Sequence, residues 1–527
     1  MIALVIMDGF GIRKKKKGNA IALQGTPYLD KLRAKYPDIV LGASGNFVGL
    51  PNGQMGNSEA GHLTIGSGRR FYQPLERVNR AIFDGSFFEN EELLRAINKV
   101  LATGGVLHVL GLVSDGGVHS HIDHIKAVLK LAHDKGVSKI FVHAVLDGRD
   151  TAPDSAFGFI EDLQKTCNKY GAVIKTLCGR AWAMDREKAY DRTQKAYRLM
   201  VCGRSENKGV DPLIEIQKSY DNGITDEFFE PTIIGQPARL TEKDSLILCN
   251  VRKDRMRQLL EALVLPDFDK FEVHKFQDLC IVGLVEYDDD FENVGVAFEE
   301  EDLKNGLAKV LQENGKRQLH ITETSKFPHV TYYFNCGKDE PYPLEDQKMI
   351  EGFQDLNYAE HPEMRAFDIT NNVLDAIAGG KYDFIVVNFP NCDMVGHTAD
   401  MGATKSAVRI VDKCAYAIAM GALIAGGECI ITADHGNAEE LFDAKGKPKT
   451  SHTTNEVPFI LVSNKERYLK ETGELANIAP TILEMMELEI PKEMATSLLA
   501  PAPTKKQLKN KKKVEAKVAK RAKKSKK

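Results

Sequence analysis

The sequence predicts an α/β protein with two largely parallel sheets, the segment forming one inserted into the segment forming the other. Short apolar runs recur, and most stop at an acidic, glycine or arginine turn. Amphipathic stretches of helical period, such as Ala407–Leu423, lie between them. The runs near the two ends share one style of terminus, whereas the middle of the chain has a rhythm of its own.

Taken in order, Ala3–Met7 stops at Asp8-Gly9 and reads as a buried parallel strand. Val106–Leu112 leads to Ser114-Asp115-Gly116-Gly117. Lys139–Leu146 leads to Asp147-Gly148-Arg149-Asp150. Val173–Leu177 ends near Gly179-Arg180, and Ser245–Asn250 ends at Val251-Arg252. These four make the inserted sheet. Tyr382–Asn388 precedes a loop holding Asp393, Glu428–Thr432 runs into Ala433-Asp434-His435-Gly436, and Val457–Val462 is the last strand of the outer sheet. The hinges fall near 72–78 and 293–300, before the acidic run FEEED. The expected domains are therefore 1–74 with 298–500, an insert at 75–297, and a low-complexity, disordered tail at 501–527.

Composition narrows the class. The chain has 527 residues, 43% hydrophobic and 28% charged, as ordinary globular proteins do. No run of eighteen apolar residues offers a membrane span. The start, MIALVIMDGFG, lacks a basic leader and a cleavage site, so no secretory signal is expected. Nine scattered cysteines without a C-x-x-C pair argue for a reducing cytoplasm rather than a disulfide or zinc framework. The net charge of −3 hides an asymmetry. Lys505–Lys527 carries thirteen Lys or Arg against one Glu, a net +12, which leaves −15 on the rest. An acidic body is not a nucleic-acid binder, although the tail could bind an acidic partner weakly.

Three strand ends deliver Asp8, Asp393 and the Asp434-His435 pair. His397 follows Asp393 by four residues, so one helical turn would put both on one face. His452 lies in TSHTTN, just before the last strand. Each alone reads as a cap, a turn or a loop residue. Together, three Asp and three His beyond the carboxyl ends of strands suit divalent metal, and six such groups suit two ions better than one.

A second constellation is Met55-Gly56-Asn57-Ser58-Glu59-Ala60-Gly61-His62. It reads as a tight loop presenting the Ser58 hydroxyl for metal-assisted nucleophilic attack, or as an ordinary N-cap. The insert contributes His119, Arg149, Asp150, Arg180, Arg186, Arg252 and Arg255. Arginine forks of this kind suit a small dianionic or trianionic substrate, and their bland alternative is surface ion pairing.

Ten motifs in order resemble the cofactor-independent phosphoglycerate mutases, the metal-dependent branch of the alkaline phosphatase superfamily. They are MDGFG, MGNSEAGHLTIGSGR, SDGGVHSH, LDGRD, GRAWAMDR, NVRKDRMRQ, SKFPHVTYY, NFPNCDMVGHT, TADHGNAE and SHTTNEVP, and the resemblance covers about residues 1–500. It implies an alkaline-phosphatase-like parallel-sheet domain with a second α/β domain inserted. It implies interconversion of 3-phosphoglycerate and 2-phosphoglycerate through phosphoserine at Ser58, without 2,3-bisphosphoglycerate. Asp393, His397 and His452 would hold one metal; Asp8, Ser58, Asp434 and His435 would hold the other. Mn is the expected metal, with Co, Zn or Mg as alternatives. His119, Arg149, Asp150, Arg180, Arg186, Arg252, Arg255 and Lys326 would bind substrate, with Asp150 as acid/base and Lys326 added by resemblance alone. A cytoplasmic monomer without membrane partners is implied. A metal-dependent phosphomonoesterase is the alternative. The chain departs from the family pattern at Ala60, where Val is commoner, in the basic stretch Arg13–Lys17, and in the tail.

Overall fold

The structure is a computed structural model that describes residues 1–299, 303–353, 357–443 and 445–502. The assigned tail lies, from residue 503 onward, outside the described residues. The chain divides into two compact units, Met1–Phe71 with Asp302–Lys527, and Tyr72–Glu301.

The first unit holds an eight-stranded sheet. Its order is Glu345–Ile350, Gln318–Glu323, Phe384–Phe389, Ile2–Met7, Glu428–Thr432, Val457–Val462, Asp38–Gly42 and Gly473–Glu474. Ile2–Met7 sits at the centre, parallel to Phe384–Phe389 and Glu428–Thr432 on its two sides. All six of its residues are buried, which explains why it reads as a continuous apolar run without alternation. Val457–Val462 is antiparallel to both of its neighbours, so the sheet is mixed at that end.

The helix Met401–Ile424 covers the central strands. Asp400 caps it, accepting from the Ala403 amide at 2.8 Å. Its buried face runs through Ala407, Val408, Val411, Ala415, Ile418 and Ala422, and the small alanines let it approach the sheet closely. Asp412 on that face accepts from the amides of Tyr28 and Leu29 at 3.1 and 2.8 Å, capping the helix Pro27–Arg33. Burying each Leu, Ile or Phe of this core contributes about 1.5–3 kcal/mol.

The second unit holds its own eight-stranded sheet. The order is Val294–Val296, Cys280–Gly283, Ser245–Leu248, Leu107–Leu112, Ile140–Leu146, Ala172–Gly179, Thr232–Ile234 and Asn207–Gly209. Every pairing is parallel except that of Ala172–Gly179 with Thr232–Ile234. The α/β class and the eight expected strands are therefore present. All nine cysteines are free thiols, seven of them buried. Among the described residues, no helix is long and apolar enough to cross a membrane.

Candidate active site

Three adjacent parallel strands of the first unit end side by side, and the turns beyond them carry the acidic groups. Asp8 follows Ile2–Met7, and Asp434-His435 follow Glu428–Thr432. Asp393 is not in a loop, as the sequence suggests, but in the short helix Asn391–Gly396, with His397 as its C-cap. The strand Phe384–Phe389 turns at Pro390 directly into that helix, leaving no loop between them. Gly9, at φ +73°, allows this convergence: a Cβ there would lie 2.7 Å from the Asp393 Cα.

Ser58 likewise is neither in a tight loop nor an N-cap. It opens the helix Ser58–Ser67, and Asn57 is the cap, accepting from the Ala60 amide at 2.8 Å. Gly61 lets that helix lie directly on Asp434, whose carbonyl oxygen would be 2.7 Å from any Cβ at 61. Ala60 packs against the core of this unit.

The Ser58 hydroxyl is the focus of the site. Lys326 Nζ donates to Ser58 Oγ at 2.5 Å, to Asp8 Oδ1 at 3.0 Å and to Asp393 Oδ2 at 2.7 Å. Ser58 Oγ also lies 2.9 Å from His435 Nε2 and donates to Asp8 Oδ1 at 3.2 Å. Lys326 itself is buried, on the turn Thr324–Lys326 that follows the strand Gln318–Glu323. Burial opposes its charge, but Asp8, Asp393 and Asp434 outweigh burial and raise its pKa.

The histidine tautomers are set from outside. His397 Nδ1 donates to the Thr450 carbonyl at 2.6 Å, and His452 Nδ1 donates to the Gly56 carbonyl at 2.9 Å. Each ring, anchored through Nδ1, therefore turns its Nε2 into the site. These Nε2 atoms face each other at 3.1 Å, and stand 3.3 and 3.2 Å from Asp393 Oδ1. Among the described residues, two groups have donor atoms all within 4.8 Å of one another: Asp393, His435 and His452, and Asp8, Asp434 and His435. His435 belongs to both, whereas the sequence reading gives it to one. His397, 39% exposed at its side chain, stands at the edge of the first.

These groups fit divalent metal. Asp434 Oδ2 is buried with no hydrogen-bond donor, because the nearest candidate, His62 Nδ1 at 3.3 Å, donates to the Ser58 carbonyl at 2.9 Å. Two Nε2 atoms and an Asp393 oxygen drawn together, with an orphaned carboxylate oxygen on Asp434, suit a cation. Burial and Asp434 push the Asp8 pKa up, but Lys326 and His435 outweigh them and hold it low. Burial disfavours a charged His435, yet Asp434, Asp393 and Asp8 raise its pKa to about 10.

The sequence-predicted residues of the second unit form a different kind of group. Arg180, buried, donates to Asp147 Oδ1 at 2.6 Å and Asp150 Oδ2 at 2.5 Å. His119 lies 4.0 Å from Asp150 and 3.9 Å from Asp254. Burial, with Arg180 alongside, lowers the His119 pKa to about 4, so the ring is neutral at pH 7. Arg186 and Arg252 pair with Asp254 at 2.7 and 3.1 Å, Arg149 pairs with Glu227 at 3.2 Å, and Arg255 donates to the Met184 carbonyl at 3.1 Å. Burial, then Arg180, Arg186 and Arg149, lower the Arg255 pKa, a mark of crowded positive charge. The Nε atoms of Arg180 and Arg255 are buried without acceptors. Such donors suit an anion.

The sequence reading missed the supports. Asn388 Nδ2 donates to Asp8 Oδ2 at 2.8 Å and to His62 Nε2 at 3.0 Å, while Thr322 Oγ1 donates to Asn388 Oδ1 at 3.4 Å. Asn437 Nδ2 donates to Asp393 Oδ1 at 2.8 Å. Asp254 stands between the chosen Arg252 and Arg255. An asparagine near the end of an otherwise apolar strand was the available signal for Asn388. Asn388→Ala is expected to weaken divalent-metal affinity about 10- to 100-fold, read by titration calorimetry. Unchanged affinity would show that Asp8 needs no such support.

A family model described as "BPG-independent PGAM N-terminus" matches residues 78–289. A 2,3-bisphosphoglycerate-independent phosphoglycerate mutase of Clostridium botulinum is 47% identical over 94% of this chain and 99% of its own length. One from Methanosarcina acetivorans is 46% identical over 94% of this chain and 97% of its own. A solved structure of Leishmania mexicana phosphoglycerate mutase at low cobalt concentration is 29% identical, with TM-score 0.52 over 95% of this chain and 98% of that one. With two eight-stranded sheets, a serine held among buried carboxylates, and relatives this similar over nearly its whole length, the chain belongs to the 2,3-bisphosphoglycerate-independent phosphoglycerate mutase family.

Proposed function

We propose that this protein interconverts 3-phosphoglycerate and 2-phosphoglycerate, without 2,3-bisphosphoglycerate, through a phosphoserine at Ser58. The observation that carries this is Ser58 Oγ, at the start of a helix, within 2.5 Å of Lys326 Nζ and 2.9 Å of His435 Nε2. Asp393, His397 and His452 would hold one divalent ion, and Asp8, Ser58, Asp434 and His435 a second. Bound there, Mn, or else Co, Zn or Mg, supplies Lewis-acid charge next to the nucleophile and the phosphoryl oxygens.

The remaining work falls to side chains. Ser58 reacts as the alkoxide, its proton already lost to water and its charge offset by Lys326. Its Oγ attacks phosphorus in line, forming the Ser58 O–P bond as the bond to the glycerate oxygen breaks, and the alkoxide is restored when the phosphoryl group returns to glycerate. Lys326 offsets charge on the equatorial oxygens. The departing alkoxide takes a proton from Asp150, and the same carboxylate later accepts a proton from the glycerate hydroxyl that attacks phosphoserine. Arg149, Arg180, Arg186, Arg252 and Arg255, with neutral His119 as donor, retain the glycerate carboxylate and hydroxyls between the two transfers. Retention makes a mutase, because water reaching phosphoserine first would make a phosphatase. Nine free thiols and this substrate support a cytoplasmic setting, and a monomer is the working state.

The test is a phosphorus NMR time course with Mn(II) and 3-phosphoglycerate, with 2,3-bisphosphoglycerate absent. The 2-phosphoglycerate resonance should appear. Inorganic phosphate alone would make the protein a phosphomonoesterase. In the same assay, Arg252→Ala should slow transfer to glycerate more than it slows phosphoserine formation. Equal slowing of both half-reactions would remove Arg252 from acceptor retention.

A further inference from the structure

Two basic loops of the first unit are knitted into one lobe. The first runs from Arg13 through Lys14, Lys15, Lys16 and Lys17 to Gly18; the second carries Lys445, Lys447 and Lys449 in a hairpin closed by the bridge between Phe442 and Pro448. The Leu441 amide donates to the Gly18 carbonyl at 2.9 Å, and the Ala20 amide to the Ala438 carbonyl at 3.1 Å. Asn19 Nδ2 holds the first loop's shape by donating to the Arg13 and Lys15 carbonyls at 2.9 and 3.1 Å.

Three acidic groups of this lobe are hydrogen-bonded or ion-paired within it. Buried Glu439 accepts from the amides of Gly11 and Asn437 at 3.1 and 2.9 Å, and from Asn455 Nδ2 at 2.9 Å. Glu440 faces Arg13 and Lys449 at 3.5 and 3.3 Å. Asp443 Oδ1 accepts from the amides of Lys445 and Lys447 at 2.8 and 2.9 Å. Lys14–Lys17, Lys445 and Lys447 are exposed, and none makes an ion pair with a described residue. Six exposed lysines without an ion pair to a described residue therefore lie on two joined loops of a body whose charge outside the tail is −15.

Their placement is what gives them a task. The first loop leaves the strand end at Asp8. The second leaves directly after Asp434-His435 and returns at Thr450, whose carbonyl takes the His397 Nδ1 hydrogen at 2.6 Å, two residues before His452. Both loops are thus rooted in the segments that carry the metal-binding side chains.

We propose that this lobe is an electrostatic receiving surface that concentrates the phosphoglycerate trianion beside Ser58. The inference rests on the proposed function. Positive charge gathered on an otherwise acidic body gives an anion a local minimum of energy, and surface fields of several kT raise encounter rates about 10- to 1,000-fold at low salt. The reach is about 30 Å at 0.01 M ionic strength and about 3 Å at 1 M, so the effect must fade with salt.

The test compares the full chain with Lys14→Gln/Lys15→Gln/Lys16→Gln/Lys17→Gln, with the four corresponding Glu replacements, and with the four Arg replacements. kcat/KM and kcat for 3-phosphoglycerate are measured with saturating Mn(II) across ionic strength. At about 0.02 M the Gln set should lose about threefold in kcat/KM and the Glu set about tenfold, with kcat unchanged. The Arg set should match the parent, and all four proteins should converge by about 0.5 M. Parallel salt profiles, a loss that persists at high salt, or an equal loss in the Arg set would each overturn the proposal. Absence of turnover by the unaltered chain would sink the functional reading instead, and this inference with it.

Discussion

Ser58→Ala is expected to abolish interconversion, lowering kcat by about 10⁵-fold or more, the scale seen when a covalent nucleophile is removed. The loss follows from the geometry. One oxygen receives the Lys326 Nζ hydrogen bond at 2.5 Å, faces His435 Nε2 at 2.9 Å, and would also contribute to metal binding. Alanine removes that atom while Asn57 continues to cap the helix through the Ala60 amide, so the fold is kept. The checks are the phosphorus NMR assay and intact mass after acid quenching. The parent should gain one phosphoryl group during turnover, and the variant none. Turnover by the variant above about 1% of the parent would place the nucleophile elsewhere.

Metal removal is the second large effect. Asp8, Asp393 and Asp434 are buried together, with Lys326 as the cation reaching Asp8 and Asp393. Chelation is expected to abolish turnover, with recovery on adding Mn(II). It should also destabilise selectively. A ligand at 100 times its dissociation constant stabilises by about 2.7 kcal/mol, and stripping it returns that amount. The loss belongs to the unit that holds the ligands. Hydrogen exchange should therefore quicken in Ile2–Met7, Phe384–Phe389 and Glu428–Thr432, while Leu107–Leu112 and Ile140–Leu146 keep their protection. Equal quickening in both units would mean that the metal acts through global unfolding.

The legible parts of this molecule were those where chemistry coincides with a simple pattern. Ile2–Met7 and Glu428–Thr432 read as strands because parallel strands covered on both faces are apolar throughout. Gln318–Glu323 and Glu345–Ile350 gave no such signal. The first buries Gln318 and His320, whose ring finds the Val330 carbonyl at 2.7 Å, and the second is a half-exposed edge. Ionisable ligands stood out at strand ends, whereas Asn388 and Asn437 did not, because an amide looks like a turn residue until its partners are known. The Ser58 segment was misread as a loop because its glycines serve close helix packing rather than a turn.

The central position of Ile2–Met7 also bears on how the protein is made. Its partners, Phe384–Phe389 and Glu428–Thr432, lie more than 370 residues downstream, so this strand leaves the ribosome long before either partner does. Tyr72–Glu301 is continuous in sequence and can close on itself meanwhile. At about 5–20 residues per second, the interval between residues 72 and 432 is roughly 20–70 s. Throughout that time a wholly apolar hexapeptide waits unpaired, which makes nascent-chain chaperones the natural custodians of this segment.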